Sequence, residues 1–323
     1  MNELDFSQYR LNYVFDPPSD KCLYRSTLTV NDETVDLLPK KVDHRVKFGP
    51  ILDQQSLGTC VSHTVVYQLR FLLACQSVPV ALSRLFIHYN GRAVLGSEGR
   101  PTAGPSSENA GMSIRNGFRA VGSHGVCLEA DWPYDVNKVF DRPPQFVYEH
   151  AAKYRNILYF TILQDLPSIK SCLHKGYVIS FGMTLFASFM STEVAQTGYV
   201  PVPDESKDQQ IGAHAMTIVG YDDRIESVIV ANQWSSRFGD EGYCYIKYEM
   251  ILNPRMTRDL WYVRSITVEK NAAEAAPEAW VAERTYKSGD LVLYQSLQYK
   301  CVTTHKAIRS WTPPSMKSLW RRI

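Results

Sequence analysis

The sequence lacks the features that mark membrane-spanning and nucleic-acid-binding proteins. No apolar stretch approaches the roughly 18 uncharged residues that a membrane-spanning helix needs, so we expect no membrane span. The 35 Lys and Arg residues nearly balance the 33 Asp and Glu residues, without a dense basic cluster, so charge gives no reason to expect nucleic-acid binding. Residues 1–20 lack the apolar run of a Sec signal peptide, which leaves cytosolic, virion-associated and specialised export routes open.

The sequence also lacks clustered cysteines. The seven cysteines are scattered singly, and no CxxC pair occurs. An odd number of isolated cysteines argues against a disulfide framework and against structural zinc, so we expect no metal and no cofactor. With 323 residues, of which 45% are hydrophobic, the chain is long enough for one large domain and a smaller one.

Composition divides the chain into four segments. Residues 1–37 are polar and aromatic, with a turn signal at Pro17 and Pro18, and we interpret them as an N-terminal arm or pro-segment. Helix and strand signals alternate over residues 38–268, an Ala- and Glu-rich linker follows at 269–278, and residues 279–323 form a small module.

The main region predicts helices first and strands later. Apolar residues at spacings of three and four predict a helix over 61–73 and a second one over 111–121. Enrichment in β-branched and aromatic residues predicts strands at 177–183, 215–221, 227–231, 243–248 and 260–268. This order favours an α+β fold of two halves with a cleft between them.

The residues best suited to chemistry surround Cys60. Cys60 follows the segment DQQSLGT and precedes the first predicted helix, whose free amides and positive dipole end favour a thiolate. A nucleophilic thiol also needs an imidazole to hold its proton, a group that fixes the imidazole, and donors for an oxyanion. His214, Asn232 and Gln54 are the candidates for these three roles.

Four segments, in order, resemble the papain family of cysteine peptidases, in particular its bacterial and viral members. They are LPKKVDHR at 38–45, Gln54 six residues before Cys60, IGAHAMTIVGY at 211–221, and NQW at 232–234 followed by FGDEGY at 238–243. The resemblance covers 38–268 and implies a two-lobe fold, with a helical lobe and an antiparallel β-barrel-like lobe.

The resemblance also implies residue roles. Cys60 would attack a peptide carbonyl, His214 would store and return the proton, and Asn232 would orient the imidazole. Gln54, with the backbone amide of Cys60, would hold the oxyanion. Trp234 would shield the hydrogen bond between His214 and Asn232 and line the substrate site, where Gly111 would offer its backbone.

Some positions depart from the family pattern, and one residue competes with His214. Leu57 stands where the family has a disulfide cysteine, so a reducing compartment would be tolerated. His63 lies three residues after Cys60 and is a rival base. Its flanking sequence matches no catalytic role, and we interpret it as local polar packing or a residue of the cleft wall.

The C-terminal module resembles carbohydrate-binding families 5 and 12, often called chitin-binding. Aromatic residues separated by turns fill its short length, and Tyr286 and Trp311 are the candidates for exposed platforms on which sugar rings stack. The adjacent tryptophan pair of many chitin binders is missing, since Val302 and Thr303 occupy that stretch. A docking module whose aromatics are all core is the alternative.

The sequence leaves three functions open. The first is an endopeptidase that cleaves a protein or peptide substrate, kept latent by its arm and targeted by its module to a polysaccharide or to a virion or cell-surface component. The second is a transglutaminase-type acyltransferase on the same triad. The third is an inactive adhesion or structural protein that only presents the module; intact Cys60, His214, Asn232 and Gln54 disfavour it.

Overall fold

A computed structural model describes residues 8–16, 37–93, 111–268, 278–295 and 297–322. The chain divides into two compact units, residues 1–267 and residues 268–323. The predicted linker at 269–278 lies almost entirely outside the described residues. Within the described residues, no helix is long and apolar enough to cross a membrane.

The first unit begins with a helical half built around one buried helix. The α-helices described are α1 Arg45–Phe48, α2 Cys60–Cys75, α3 Arg84–Ala93, α4 Ile114–His124, α5 Gln145–Ala151, α6 Leu166–His174, α7 Thr192–Thr197 and α8 Tyr248–Leu252. Helix α2 is buried from Cys60 to Leu73 because α3 and α4 pack on one side and strands of the sheet on the other. The polar side chains of this helix, among them His63 and Gln68, are therefore buried as well and form hydrogen bonds inside the protein.

The other half of this unit is an antiparallel sheet. Its strands are β1 Lys41–Asp43, β2 Asn156–Thr161, β3 Ile179–Phe186, β4 Gln210–Asp222, β5 Ser227–Ala231, β6 Tyr243–Lys247 and β7 Thr257–Thr267. The order is β2-β7-β3-β4-β5-β6, and β1 pairs with β4. Strands β3 and β5 are buried at every position, so they lie inside the sheet with both faces covered. The fold is thus the two-lobe α+β arrangement that the sequence predicts.

Strand β7 is irregular where it meets β3. Ser180 pairs with Trp261 but Gly182 pairs with Arg258, so the two strands shift register around Asp259. Asp259 has a φ angle of 60°, a left-handed conformation that is uncommon outside glycine. Such a bulge turns a side chain away from the direction that the strand would give it.

The second unit is a small β module. Its strands are β8 Glu278–Ala279, β9 Thr285–Tyr286, β10 Leu291–Tyr294, β11 Leu297–Cys301, β12 His305–Lys306 and β13 Trp320–Arg322. Strands β13, β11, β10 and β8 form one sheet, and β12 pairs with β9. Its core consists of Tyr286, Val292, Tyr299, Cys301, Ala307 and Trp320. A module this small depends on large aromatic side chains for burial.

Candidate active site

Cys60 lies where the sequence predicts it, at the N-terminal end of α2. It is the first residue of the helix, and no acidic side chain lies in the first turn. The helix end therefore presents free amides and positive potential to the sulfur. The backbone amide of Ala215, the residue after His214, acts on the sulfur and lowers the pKa of the thiol in part. Helix α2 and strand β4 thus bring Cys60 and the neighbourhood of His214 together across the two halves.

The proton of His214 is located by its neighbours. His214 Nε2 lies 2.9 Å from Asn232 Oδ1, and this oxygen also accepts from the backbone N–H of Gln233 at 2.8 Å. Because the carbonyl oxygen of an amide can only accept, Nε2 carries the hydrogen. In a neutral imidazole Nδ1 is then the basic nitrogen, and in the described structure it has no hydrogen-bond partner. His214 is therefore the tautomer that can accept a proton at Nδ1.

Trp234 covers this pair of side chains. Its ring is completely buried and lies 5.3 Å from the imidazole of His214, centroid to centroid. The rings of Phe189 and Phe238 meet it edge-on and hold it in place. An apolar cover of this kind excludes water, which strengthens the hydrogen bond between His214 and Asn232.

Gln54 is held at the same site by the segment that contains Trp234. Its backbone N–H donates to the carbonyl of Gln233 at 2.8 Å, and its side chain is fully buried. Its Nε2 donates to the carbonyl of Leu57 at 3.0 Å and to the carbonyl of Arg10 in the N-terminal arm at 3.3 Å. The side-chain amide of Gln54 therefore donates to a backbone carbonyl inside the cleft, that of Arg10.

In this structure burial favours the neutral forms of both the cysteine and the histidine. Burial raises the pKa of the Cys60 thiol to about 11, although the Ala215 amide lowers it in part. Burial also lowers the pKa of His214 to about 4, against a smaller raising effect of Asn232. The sequence predicts a thiolate favoured by the helix end. The amides of Cys60 and Val61 at the helix end do lower the pKa of the thiol, but burial opposes them and is the larger cause.

His63 is occupied elsewhere. Its Nδ1 lies 2.9 Å from the carbonyl of Thr59, and its Nε2 lies 3.3 Å from the guanidinium of Arg84. Burial, followed by the charge of Arg84, lowers the pKa of His63 well below its usual value. Both ring nitrogens therefore serve packing around the start of α2, as the local polar packing interpretation proposes.

The N-terminal arm runs through the cleft beside these residues. Asn12 forms a parallel bridge with Ala213. Around it, Tyr13 N–H donates to the Ala213 carbonyl at 3.1 Å, and Ala213 N–H donates to the Leu11 carbonyl at 3.4 Å. At one end of the segment the ring of Tyr9 stacks on Trp234 at 4.8 Å. Residues 8–16 therefore occupy the groove as an added strand would.

Glycines leave the space that the arm fills. A side chain on any of Gly58, Gly111, Gly182 or Gly212 would collide with residues 11–13 of the arm. At Gly111 the obstacle is the backbone carbonyl of Asn12, which could not move aside. The predicted role of Gly111, a backbone contact with an extended peptide, is thus compatible with what lies against it here.

A buried carboxyl pair holds the far end of the arm. Asp259 Oδ2 accepts from the hydroxyl of Tyr13 at 2.7 Å and from the backbone N–H of Asp16 at 2.9 Å. Asp16 in turn accepts from Trp261 Nε1 at 3.1 Å, and its other oxygen lies 3.5 Å from Arg115. Burial raises the pKa of both Asp16 and Asp259. Sequence reasoning missed this pair; its only signal is the charged Arg258-Asp259 step just before the apolar stretch Leu260–Val263.

In the module, one predicted sugar platform is buried. Tyr286 is 2% exposed, packs edge-on against Trp320, and donates its hydroxyl to the carbonyl of Val281. The prediction that Tyr286 offers an open ring face is therefore wrong, since a core this small uses the ring for its own burial. Trp311 is 38% exposed, so part of its side chain is open to solvent.

The described residues offer no metal centre. No group of three or more His, Cys, Asp or Glu side chains in the described ranges could hold a metal ion. The six cysteines of the described part, from Cys60 to Cys301, are all free.

Comparison with known proteins identifies the families of the two parts of the chain. The profile of the papain family cysteine proteases matches residues 38–262, and that of carbohydrate-binding module family 5/12 matches residues 279–321. A peptidase C1-like protein of Acanthamoeba polyphaga mimivirus is 33% identical over 226 residues, which cover 67% of this chain and 70% of the viral protein.

Two further proteins are similar to this chain, one over most of its length and one over a short part. Xylellain, a cysteine protease from Xylella fastidiosa, has a crystal structure that superposes with a TM-score of 0.70 at 27% identity, covering 81% of this chain and 98% of xylellain. Chitinase Chi52 of Paenibacillus xylanexedens is 37% identical over 70 residues, only 13% of the chitinase. By the extent of these matches, the chain belongs to the papain family of cysteine proteases and carries a family 5/12 carbohydrate-binding module.

Proposed function

We propose that the chain is an endopeptidase that cleaves peptide bonds through Cys60, His214 and Asn232, with Gln54 as a donor to the oxyanion. The observation that carries the proposal is the 2.9 Å distance between His214 Nε2 and Asn232 Oδ1, which places the imidazole hydrogen on Nε2. It leaves Nδ1 as the base, on the strand whose next amide, that of Ala215, lowers the pKa of the Cys60 thiol in part. Each of the three roles that thiol catalysis requires then falls to one side chain.

The reaction follows from these positions. Cys60 attacks the peptide carbonyl as its proton passes to His214 Nδ1, which forms a thiolate–imidazolium pair at the moment of reaction. The tetrahedral oxygen takes the place of the Arg10 carbonyl, where Gln54 Nε2 donates. His214 then gives the proton to the leaving amine, and water releases the acyl group from Cys60.

The arm makes this form of the protease latent. Residues 8–16 fill the groove, and Arg10 places a carbonyl against the amide of Gln54. Burial is the largest cause that raises the pKa of Cys60 and lowers that of His214. Displacement of the arm admits water and substrate, which brings the two pKa values closer and makes the ion pair accessible.

The module is the targeting element in this proposal. Its family implies carbohydrate binding, and Trp311 offers an exposed indole face on which a sugar ring stacks. The related chitinases suggest chitin as the first polysaccharide to test.

Replacing Cys60 tests the proposal directly. The full chain is incubated with an unfolded protein substrate and, separately, with an epoxide inhibitor of the papain family, both under reducing conditions. We expect Cys60→Ala to abolish cleavage and labelling. We expect Cys75→Ala to leave both unchanged, because Cys75 is free and exposed on the last turn of α2.

A second variant tests latency. Tyr9→Ala removes the ring that stacks on Trp234, so we expect faster cleavage than in the wild type. Cleavage that survives Cys60→Ala would overturn the mechanism. A rate unaffected by Tyr9→Ala would overturn the role of the arm.

A further inference from the structure

The C-terminal module has a much more positive charge than the rest of the chain. Residues 279–323 contain eight Lys and Arg residues but only two Asp and Glu residues, an excess of six positive charges. The whole chain has a formal charge of only +2, so the rest of it has a net negative charge. Such an asymmetry between two parts of one chain favours an anionic partner for the basic part.

Three of these cations line one pocket of the module, which we call the β13 pocket because all three residues of strand β13 line it. Its volume is about 590 Å³, within the range of small-ligand sites, roughly 300–1,000 Å³. Lys317, Arg321 and Arg322 contribute to its lining, and no described Asp or Glu side chain does. Strand β13 stands at the end of the order of its sheet, so the pocket lies at a sheet edge.

The three cations have no acidic partner within the part of the chain that the structure describes. The side chains of Lys317, Arg321 and Arg322 are all exposed. In contrast, Lys306 elsewhere in the module pairs with Glu283 at 3.3 Å. Three unpaired cations around one concave surface repel one another, so an anionic ligand gains from binding among them.

Apolar side chains line the pocket between the cations. They belong to Val302, Pro313 and Pro314, and the hydroxyl side chain of Ser318 lies with them. Binding sites for small molecules commonly combine apolar surface with a few polar groups in this way. A sugar ring, which has C–H faces and hydroxyl edges, matches such a lining, and an acidic sugar also matches the charge.

We propose that the β13 pocket binds a polysaccharide that carries carboxylate or sulfate groups. The proposal rests on the carbohydrate targeting proposed above, and it adds a second site to the module, since Trp311 does not line this pocket. The anionic groups pair with Lys317, Arg321 and Arg322. Arginine is well suited to this role, because its planar fork donates two parallel hydrogen bonds to one carboxylate.

Other anionic polymers match the pocket less well. Single-stranded nucleic acids bind through exposed aromatic faces on which bases stack. The two rings that line this pocket, Tyr299 and Trp320, are only 6% and 2% exposed. An extended acidic peptide would have to pair with the edge strand, and charged side chains such as Arg321 and Arg322 oppose the pairing of edge strands.

Matched polymers test the class of ligand. Binding of the full chain to polygalacturonate and to dextran sulfate is measured at low salt. Fully methyl-esterified polygalacturonate and dextran are the controls, because they have the same backbones without the charges. We expect the chain to bind at least one of the charged polymers roughly 10-fold or more tightly than its neutral counterpart.

Two variants with the same change in charge assign this binding to the pocket. The first replaces the three cations of the pocket, as Lys317→Gln, Arg321→Gln and Arg322→Gln. The control replaces three exposed cations outside the pocket, as Lys287→Gln, Lys306→Gln and Arg309→Gln. We expect the first variant to bind roughly 10- to 100-fold more weakly than the wild type, because three ion pairs are lost. The control should stay within about threefold, since it changes only the distant charge.

A single substitution keeps the test decisive if the triple variant does not fold. Lys317 is exposed and lies outside the strands, so Lys317→Gln should leave the fold intact. We expect it to weaken binding to the charged polymer roughly 2- to 5-fold, whereas Lys306→Gln should leave binding unchanged.

Four results would overturn the inference. They are absence of binding to both charged polysaccharides, equal binding to the charged and neutral forms, equal weakening by the two triple variants, and equally tight binding of polyglutamate or oligodeoxythymidine. Chitin is measured in parallel to separate this inference from the targeting proposal. A chain that binds chitin but neither charged polysaccharide overturns this inference alone, whereas a chain that binds no polysaccharide overturns both.

Discussion

At the scale of single residues, Gln54 is the catalytic candidate whose contribution is most easily isolated. Its side-chain Nε2 already donates to a backbone carbonyl in the cleft, whereas its backbone is fixed separately through Gln233. Loss of the side-chain amide should therefore leave the fold in place and remove one donor from the transition state.

We expect Gln54→Ala to lower kcat by roughly 100- to 1,000-fold, about 2.7–4 kcal/mol, with a smaller effect on KM. Steady-state kinetics on one peptide substrate measure both. Gln55→Asn is the control, because Gln55 is exposed and its φ angle of 50° suits asparagine. An unchanged kcat in Gln54→Ala would remove the side chain from the proposed oxyanion site.

The sequence identifies the candidate residues because their chemical types are rare and their order is specific. It could not give the direction in which the pKa of Cys60 is shifted, since that depends on how deeply the folded chain buries the thiol. It could not give Asp259 either, because the direction of that side chain depends on a bulge formed with β3. Both properties arise only from tertiary contacts.

At the scale of elements, the arm carries a switch that depends on pH. Burial raises the pKa of Asp16 above its ordinary value of 3.8, and Asp259 nearby raises it further, while Ser113, Arg115 and Trp261 lower it in part. Once the arm is released, Asp16 reaches water and its pKa returns toward the ordinary value. The docked arm therefore binds more protons than the released arm.

The sign of the effect follows by linkage. Docking is strongest below pH 3.8, where Asp16 is protonated in both states, and weakens as pH rises from there through the raised pKa. Asp259 is also raised by burial, with Tyr13, Arg258 and Arg115 opposing, and acts in the same direction. We expect release of the arm to be favoured at neutral pH relative to acid pH.

Asp16→Asn tests this expectation, because it keeps the shape and removes the titration. At pH 7 we expect slower epoxide labelling of Cys60 in Asp16→Asn than in the wild type, and equal rates near pH 3.5. Because the variant and the wild type are compared at the same pH, the titration of Cys60 affects both labelling rates equally and cancels. Faster labelling of the variant at pH 7 would reverse the assigned sign.

Elements with a strong pattern were predicted well. The predicted helix at 61–73 corresponds to Cys60–Cys75, and the predicted strand at 227–231 coincides with Ser227–Ala231. Strand Gln210–Asp222 is longer than predicted, because its first residues are small or polar and pair with the arm and β3. Helix Leu166–His174 was not predicted, since its capping by Asp165 and its packing, rather than its composition, stabilise it.

At the scale of the whole molecule, the two-lobe α+β fold and the small β module are confirmed by the structure and the comparisons. The order of four short segments was sufficient to predict the two-lobe fold. The spacing of aromatic residues was sufficient to predict the β module. The predicted domain limits at residues 38, 268 and 279 stay a prediction, although the compact units divide at residue 268.

The module provides the prediction at this scale. We expect Trp311→Ala to weaken retention of the full chain on chitin by roughly 2- to 12-fold, because one stacking face is lost. Peptide cleavage in solution should be unchanged. Val281→Ala is the control, since Val281 is an exposed apolar residue of the same module. Equal retention of Trp311→Ala and wild type on chitin would exclude Trp311 as the platform.

The four glycines along the groove have a consequence for the whole molecule. The arm packs directly against the backbone of the four glycines, because they have no side chains that would keep it away. Beside them, main-chain hydrogen bonds join the arm to the rest of the protein. A ligand that enters so narrow a slot must arrive as a single extended strand. Folded targets would therefore be cut only as fast as they unravel locally, so their own conformational stability would select which of them are degraded.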